Sequence, residues 1–290
     1  MSETLTVEPL GARIYINSFP KSGTHLAYLI TANLAARQEP KHWIGSFRGN
    51  SWTTKWQPID KIVGVIEGQP ANTWMIGHMG YKPEFDEAFQ RMNTCMIFVY
   101  RDLRDVAVSQ TYHIEAEDDK RFRHPDKQLF MDLPDHTARL RAVIEGIDRY
   151  PGIIDRWVNY APWLNVDWVF PVRFEDMRNY PEQTAKRVVN YVIQRTVFNT
   201  EGAFPVLIGD EFAHAIALSI RNMNTTEYSG SYRAGRVGDW RAEFTPELLD
   251  LFDELGGNDW LERLGYEPAR KAEENLRDER PRIRNAAQAY

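Results

Sequence analysis

Residues 13–24 read Arg13-Ile14-Tyr15-Ile16-Asn17-Ser18-Phe19-Pro20-Lys21-Ser22-Gly23-Thr24. Arg13 to Phe19 has the β-branched and aromatic composition of a strand, and Pro20 ends it. Ser22, Gly23 and Thr24 break the pattern. His25 to Arg37 then carries Leu26, Leu29, Ile30 and Leu34 at near-helical spacing. The segment is thus a strand, a tight loop and a helix. A glycine-containing turn feeding a helix N-terminus offers unpaired backbone N–H groups and a favourable dipole to an anion. Lys21 adds a positive charge there, and Ser22 and Thr24 add hydroxyl donors. The loop is not a Walker A motif, which needs Lys directly after its second Gly and another Gly five residues earlier. Here Thr24 follows Gly23, Ser18 stands in place of the first Gly, and Lys21 precedes the glycine.

Outward from this unit the same alternation continues. Lys61–Ile66 and Asn72–Gly77 read as short strands, and Val166–Phe174 as another. Thr94–Tyr100 is a continuous apolar run, the pattern of a strand buried on both faces. Pro83–Met92, Asp102–His113, Pro181–Ile193 and Glu211–Met223 have helical patterning, as does Asp135–Tyr160 up to the break at Pro151-Gly152. Thr245 is placed to cap a helix over Pro246–Leu255, and Asn258–Gly265 adds another turn. Strands alternating with helices predict an α/β fold with a central, mostly parallel sheet flanked by helices. In such sheets ligands bind beyond the carboxyl ends of the strands, which selects the loops after Phe19, Gly77, Tyr100 and Phe174.

Composition narrows the ligand. Lys and Arg total 35 against 41 Asp and Glu, a net charge of −6 over 290 residues. The chain as a whole has no electrostatic reason to hold nucleic acid, so any anion site is a local basic cluster. One cysteine, Cys95, excludes an intramolecular disulfide and a cysteine-rich zinc site. It sits in the apolar run Thr94–Tyr100, where a buried, reduced thiol is expected. Met1–Leu10 has acids and no apolar core, unlike a signal peptide. No segment approaches the roughly 20 apolar residues of a membrane span. A cytoplasmic protein is expected.

Two further clusters are basic. Arg101 closes the strand of Thr94–Tyr100, Asp102 can cap the next helix, and Ser109 follows about two turns on. Arg101 can give paired N–H donors to a phosphate and Ser109 a hydroxyl, while Arg104 and Asp105 fit a solvated pair. Tyr232 to Arg241 (Tyr-Arg-Ala-Gly-Arg-Val-Gly-Asp-Trp-Arg) holds three arginines and two glycines, whose missing side chains let backbone approach a ligand.

Together these stretches resemble the nucleotide-binding signatures of sulfotransferases that use 3′-phosphoadenosine 5′-phosphosulfate (PAPS). The cytosolic-type pattern Tyr-Pro-Lys-Ser-Gly-Thr is similar to Phe19–Thr24. Arg-x-x-x-Asp-Val-Ala-Val-Ser is matched from Arg101 to Ser109, and Arg-Lys-Gly-x-x-Gly-Asp-Trp-Lys is similar to Arg233–Arg241. The Tyr-Glu-Asp element appears as Phe174-Glu175-Asp176, and Met-Lys-x-Asn is echoed at Met223-Asn224. The resemblance implies a P-loop-like sulfotransferase fold in one domain over 1–269, followed by a charged tail at 270–290. The Trp-rich loop 40–60 and the charged insertion 115–135 are candidate lids over the acceptor site.

The resemblance also implies roles. Pro20, Lys21, Ser22, Gly23, Thr24 and His25 would surround the 5′-phosphosulfate. Arg101 and Ser109 would take the 3′-phosphate, with Arg233, Ala234 and Gly235 closing over it and Phe174 beside the nucleotide. Sulfuryl transfer to a hydroxyl of a small-molecule or glycan acceptor would leave 3′-phosphoadenosine 5′-phosphate (PAP) and need no metal. The family carries its base in a Lys-Thr-His context after a strand. Trp74-Met75-Ile76-Gly77-His78-Met79 occupies the matching place, so His78 is the candidate base and Lys21 the stabiliser of the leaving phosphate. His25, His113 and Glu67 are rival bases. This sequence departs from the pattern at Ile76, where the family has Lys, at Ala234, also Lys there, and at Phe174, where Tyr is usual. Two other activities remain open: a small-molecule kinase with an altered phosphate loop, and a PAP-binding protein without catalysis.

Overall fold

The protein is described by a computed structural model covering residues 13–32, 42–43, 58–71, 73–116, 124, 126–197 and 235–268. Among these residues five strands form one sheet: β1 (Arg13–Ser18), β2 (His42–Trp43), β3 (Thr73–Gly77), β4 (Thr94–Tyr100) and, late in the chain, Phe170–Arg173. Their order is β2-β3-β1-β4 and then 170–173, and every pairing is parallel. The register pairs Asn17 with Gly77, Ser18 with Val99, and Tyr100 with Arg173. The chain therefore leaves four neighbouring strands at one edge, and the loops that follow Ser18, Gly77, Tyr100 and Arg173 meet there.

Helices cover both faces, so the strands carry apolar side chains in both directions. On one face Tyr15, Met75, Met96 and Phe98 pack with Phe89, Trp157 and Trp163. On the other, Ile14, Ile16, Cys95, Ile97 and Val99 meet Leu26 and Ile30 of α1 (Thr24–Ala32) and Val188 and Val192 of the long helix Pro181–Val197. Burying each of the larger side chains contributes about 1.5–3 kcal/mol. Burial pushes the Cys95 thiol up to about 12, so it stays protonated.

Lys61–Ile66 is a helix and not a strand. It lies within α2 (Ile59–Glu67), which buries Ile62 and Ile66 one turn apart. A short apolar run is compatible with either element on periodicity alone. Here Pro58 is the N-cap, with φ −54° and ψ 145°, and α2 docks on α3 (Pro83–Arg91). The helix expected over Asp102–His113 is α4 (Leu103–Glu115), with the Asp102 side chain accepting the Arg104 N–H as its cap. The charged insertion 115–135 is partly buried in its described residues. Its described part includes α5 (Lys127–Met131), whose Phe130 is buried, and Asp126, which is paired with Arg149 at 2.7 Å. Asp135–Tyr160 divides into α6 (His136–Glu145), a two-stranded hairpin at 146–151 and α7 (Ile153–Trp157). The last sheet strand is shorter than expected, because Phe174 opens α8 (Phe174–Asn179). That helix is followed by α9 (Pro181–Val197), then α10 (Trp240–Glu243), α11 (Pro246–Glu254) and α12 (Gly257–Arg263). Thr245 caps α11 as expected.

The aromatic loop beyond Trp43, the helix expected at Glu211–Met223 and the tail 270–290 lie outside the described residues. Among those described, no helix is long and apolar enough to cross a membrane.

Candidate active site

The loop after β1 is shaped by its own backbone. Phe19 donates its N–H to the Val99 carbonyl and accepts the Ser22 N–H, each at 3.1 Å. Lys21 takes a left-handed conformation at φ 69°, and Gly23 takes φ 101°. A left-handed lysine costs of order 1–2 kcal/mol, so the turn stores backbone strain. The Gly23 carbonyl then accepts the N–H groups of Leu26 and Ala27 in the first turn of α1. Pro20 lies half-buried in the turn. Ser22 is fully buried, and its hydroxyl has no hydrogen-bond partner among the described residues. Burial, reinforced by the charge of Arg101, lowers the Lys21 ammonium to about 8.

Arg101 belongs to a second, more deeply buried group. Its guanidinium lies 4.2 Å over the Phe174 ring and donates to the Arg236 carbonyl. It pairs with Asp105 at 3.3 Å, while its Nε is buried without a partner among the described residues. Asp105 also accepts the N–H of Gly238 at 2.8 Å and of Trp240 at 3.0 Å. The pairing of Arg104 with Asp105 as a solvated couple is overturned, since both are buried and each has another partner. Arg104 binds Asp102 through Nε at 3.0 Å and Nη2 at 2.7 Å, and stacks 3.7 Å over Trp240. Ser109 is half-buried further along α4. Gly235 is in the left-handed region at φ 54°, and Arg233 and Ala234 lie outside the described residues.

Phe174 joins the two groups. It packs against Gly23 on one side and under Arg101 on the other. The next residue, Glu175, accepts from the Tyr266 hydroxyl at 2.7 Å and the Asp102 N–H at 3.3 Å, and burial raises its pKa.

His78 follows β3. Its Nδ1 is 2.9 Å from the Ser18 carbonyl oxygen and 3.0 Å from Ser18 Oγ, which in turn lies 2.6 Å from Thr24 Oγ1. A carbonyl oxygen only accepts, so this contact puts the ring proton on Nδ1 and the lone pair on Nε2. The backbone beneath is clamped: Asn17 donates to the Met79 carbonyl at 2.9 Å and accepts the Met79 N–H at 2.8 Å. Trp163 Nε1 donates to the same carbonyl at 2.9 Å.

The rival bases are placed differently. Glu67 pairs with Arg91 at 2.8 Å on the outer surface. His25 is at the second position of α1, with its pKa lowered by desolvation and by Lys21. His113 is lowered to about 3, chiefly by burial and then by its electrostatic neighbours, Lys21 first and His124 and His78 after it. Sequence reasoning passed over Asn17, Ser18 and Asp105. The available signal was two consecutive polar residues, Asn17 and Ser18, at the carboxyl end of an otherwise apolar strand.

Comparison with known proteins shows the family to which the fold belongs. The family described as "Sulfotransferase domain" matches residues 12–265. Flavonol 4'-sulfotransferase of Flaveria chlorifolia is 22% identical over 263 residues, which cover 83% of this chain and 77% of that protein. Cytosolic sulfotransferase 10 of Arabidopsis thaliana is 24% identical over 174 residues, 56% of this chain and 48% of its own length. Among solved structures, mouse sulfotransferase SULT7A1 complexed with PAP superposes with a TM-score of 0.57 at 19% identity, covering 84% of this chain and 83% of that one. Retinol dehydratase in complex with androsterone and PAP gives 0.54 at 13% identity, over 86% and 80%. With the matched region running from β1 through α12, this chain belongs to the sulfotransferase domain family.

Proposed function

We propose that the protein transfers a sulfuryl group from PAPS to a hydroxyl of a small-molecule or glycan acceptor, with His78 as base and PAP as the second product. The observation that carries the reading is the tie from His78 Nδ1 to the Ser18 carbonyl. With the ring proton on Nδ1, the lone pair of the neutral imidazole is on Nε2, beside the strand end that begins the Lys21–Thr24 loop.

The residues fit a nucleotide with two anionic ends. Ser22 Oγ and Arg101 Nε are buried donors left without partners among the described residues, and anionic oxygens would satisfy them. Lys21, Ser22, Gly23 and Thr24, flanked by Pro20 and His25, would hold the 5′-phosphosulfate at the start of α1. Arg101, Ser109 and the segment 233–235 would hold the 3′-phosphate, with Phe174 keeping Arg101 flat. Bound PAPS supplies the sulfuryl group, whose bond to the 5′-phosphate oxygen breaks as the acceptor oxygen bonds to sulfur. His78 Nε2 receives the acceptor's hydroxyl proton. Lys21, as its ammonium, stabilises the charge left on the phosphate oxygen. Motifs from both ends of 1–269 serve this one site, so we take it as one domain.

Transfer of label from sulfur-labelled PAPS to a panel of phenols, alcohols and sugars tests the proposal. Transfer that requires His78 supports it. Product formed from ATP and magnesium but not from PAPS would replace it with a kinase.

A further inference from the structure

His113 and His124 play no part in the chemistry above, yet they sit beside it. His113 is one helical turn beyond Ser109 on α4, so the two share a face. Lys21, His78 and His124 are the titratable groups close enough to act electrostatically on the His113 ring. The His113 and His124 rings meet edge-to-face at 6.2 Å. His124 is fixed from behind. Its Nδ1 accepts the Asp126 N–H at 3.2 Å, and its ring packs against Tyr150 at 5.8 Å and Phe130 at 6.4 Å. His113 is half-buried, and no hydrogen bond to its ring is found among the described residues. A polar ring held next to the reacting groups on a rigid backing, with its own hydrogen bonds unmade, is suited to receive a ligand group.

We infer that His113, backed by His124, binds a second hydroxyl of the acceptor, so that the protein prefers an uncharged dihydroxylated acceptor to its monohydroxy analogue. The inference rests on the sulfuryl-transfer reading of the site. The chemistry selects a hydroxyl for three reasons. Burial, reinforced by the Lys21 ammonium, keeps His113 neutral, so it offers one N–H donor and one lone pair, and a hydroxyl complements both. A carboxylate only accepts and would leave the lone pair unmatched. An ammonium group would be repelled by Lys21 and Arg101.

The test is calorimetric titration of catechol and phenol into the PAP-loaded protein, for the wild type and for His113→Phe and His113→Gln. One neutral hydrogen bond of about 1 kcal/mol predicts roughly fivefold tighter binding of catechol by the wild type. His113→Phe should bind the two alike, and His113→Gln, which keeps a donor and an acceptor, should retain most of the preference. Equal binding by the wild type, binding of neither compound, or a preference that survives His113→Phe overturns the subsite. A wild-type chain that does not bind PAP at all overturns the nucleotide reading beneath it, and the first titration shows which has failed.

Discussion

The carboxylate of Asp105 accepts the backbone N–H of Trp240 at 3.0 Å, across 135 residues of sequence. The same carboxylate accepts from Gly238 and pairs with Arg101. One buried anion thus ties the arginine at the end of β4 to the glycine-rich segment beyond Gly235. Burial raises its pKa, against the opposing pull of Arg101 and of the two backbone N–H groups. The group is expensive to keep ionised and is fully engaged.

Asp105→Asn replaces one accepting oxygen by a donor that faces an N–H or a guanidinium. A buried charged hydrogen bond is worth about 1.5–3 kcal/mol, so PAP affinity should fall about 10- to 100-fold. Asp105→Glu should recover part of it if the carboxylate acts by positioning. Calorimetry with PAP, beside a thermal melt, separates this loss from unfolding. PAP affinity unchanged in a folded Asp105→Asn variant would show that Asp105 positions nothing.

His78→Asn removes the lone pair of Nε2. Loss of a general base typically costs about 100-fold or more, so kcat should fall by that amount while PAP binding persists. Ser18→Ala is the informative companion. It deletes the hydroxyl that lies near both Nδ1 and Thr24 but keeps the carbonyl bonded to Nδ1. The tautomer survives, so its kcat should drop less than about tenfold. Steady-state rates at saturating PAPS check both, and near-normal turnover by folded His78→Asn would remove His78 from the mechanism.

Lys21 gives a pH dependence whose sign can be worked out. Its folded pKa of about 8 lies below the ordinary 10.5. Below pH 8 the ammonium is charged in both folded and unfolded chains, and PAP binding has no proton linkage from this group. Between these values the unfolded chain holds more protons, so the ligand-free fold gains stability from this group as pH rises. PAP binding goes the other way, because its phosphates require the charged amine. Affinity should weaken above pH 8 by at most about tenfold per unit, with a proton taken up on binding. Calorimetry in two buffers of different ionisation enthalpy measures that uptake. Lys21→Arg, always charged, should flatten the profile.

Much of this was legible locally. The strand–loop–helix at 13–32 announces itself because apolar composition, Pro20 and Gly23 act within a few residues of each other. The basic stretches at Lys21, Arg101 and Arg236 stand out against an acidic chain. What was not legible depended on distant partners. Asp105 looks like a solvated neighbour of Arg104 until the chain returns at Gly238. Lys61–Ile66 has a composition that suits a strand, and only docking on α3 selects the helix. His113 gains its interest from His124 and from Lys21 and His78, the last two far from it in sequence.

Two glycines provide an internal contrast. Gly23 has φ 101°, and a Cβ there would stand 2.5 Å from Phe174 Cδ2. The ring is not free to move aside, since it is buried and lies under Arg101 at 4.2 Å. Gly23→Ala therefore combines a disfavoured backbone with overpacking, and should cost about 1–3 kcal/mol of stability. It should also weaken PAP binding, because the displaced ring carries the arginine with it. Gly64 lies inside α2, and a Cβ there would meet nothing within 4 Å. Gly64→Ala should accordingly stabilise the protein by about 0.5–1 kcal/mol, through higher helix propensity and a less flexible unfolded chain. Urea denaturation of both variants beside the wild type measures the two shifts. Opposite signs are expected, and a Gly23→Ala protein as stable as the wild type would mean that the loop does not press against Phe174.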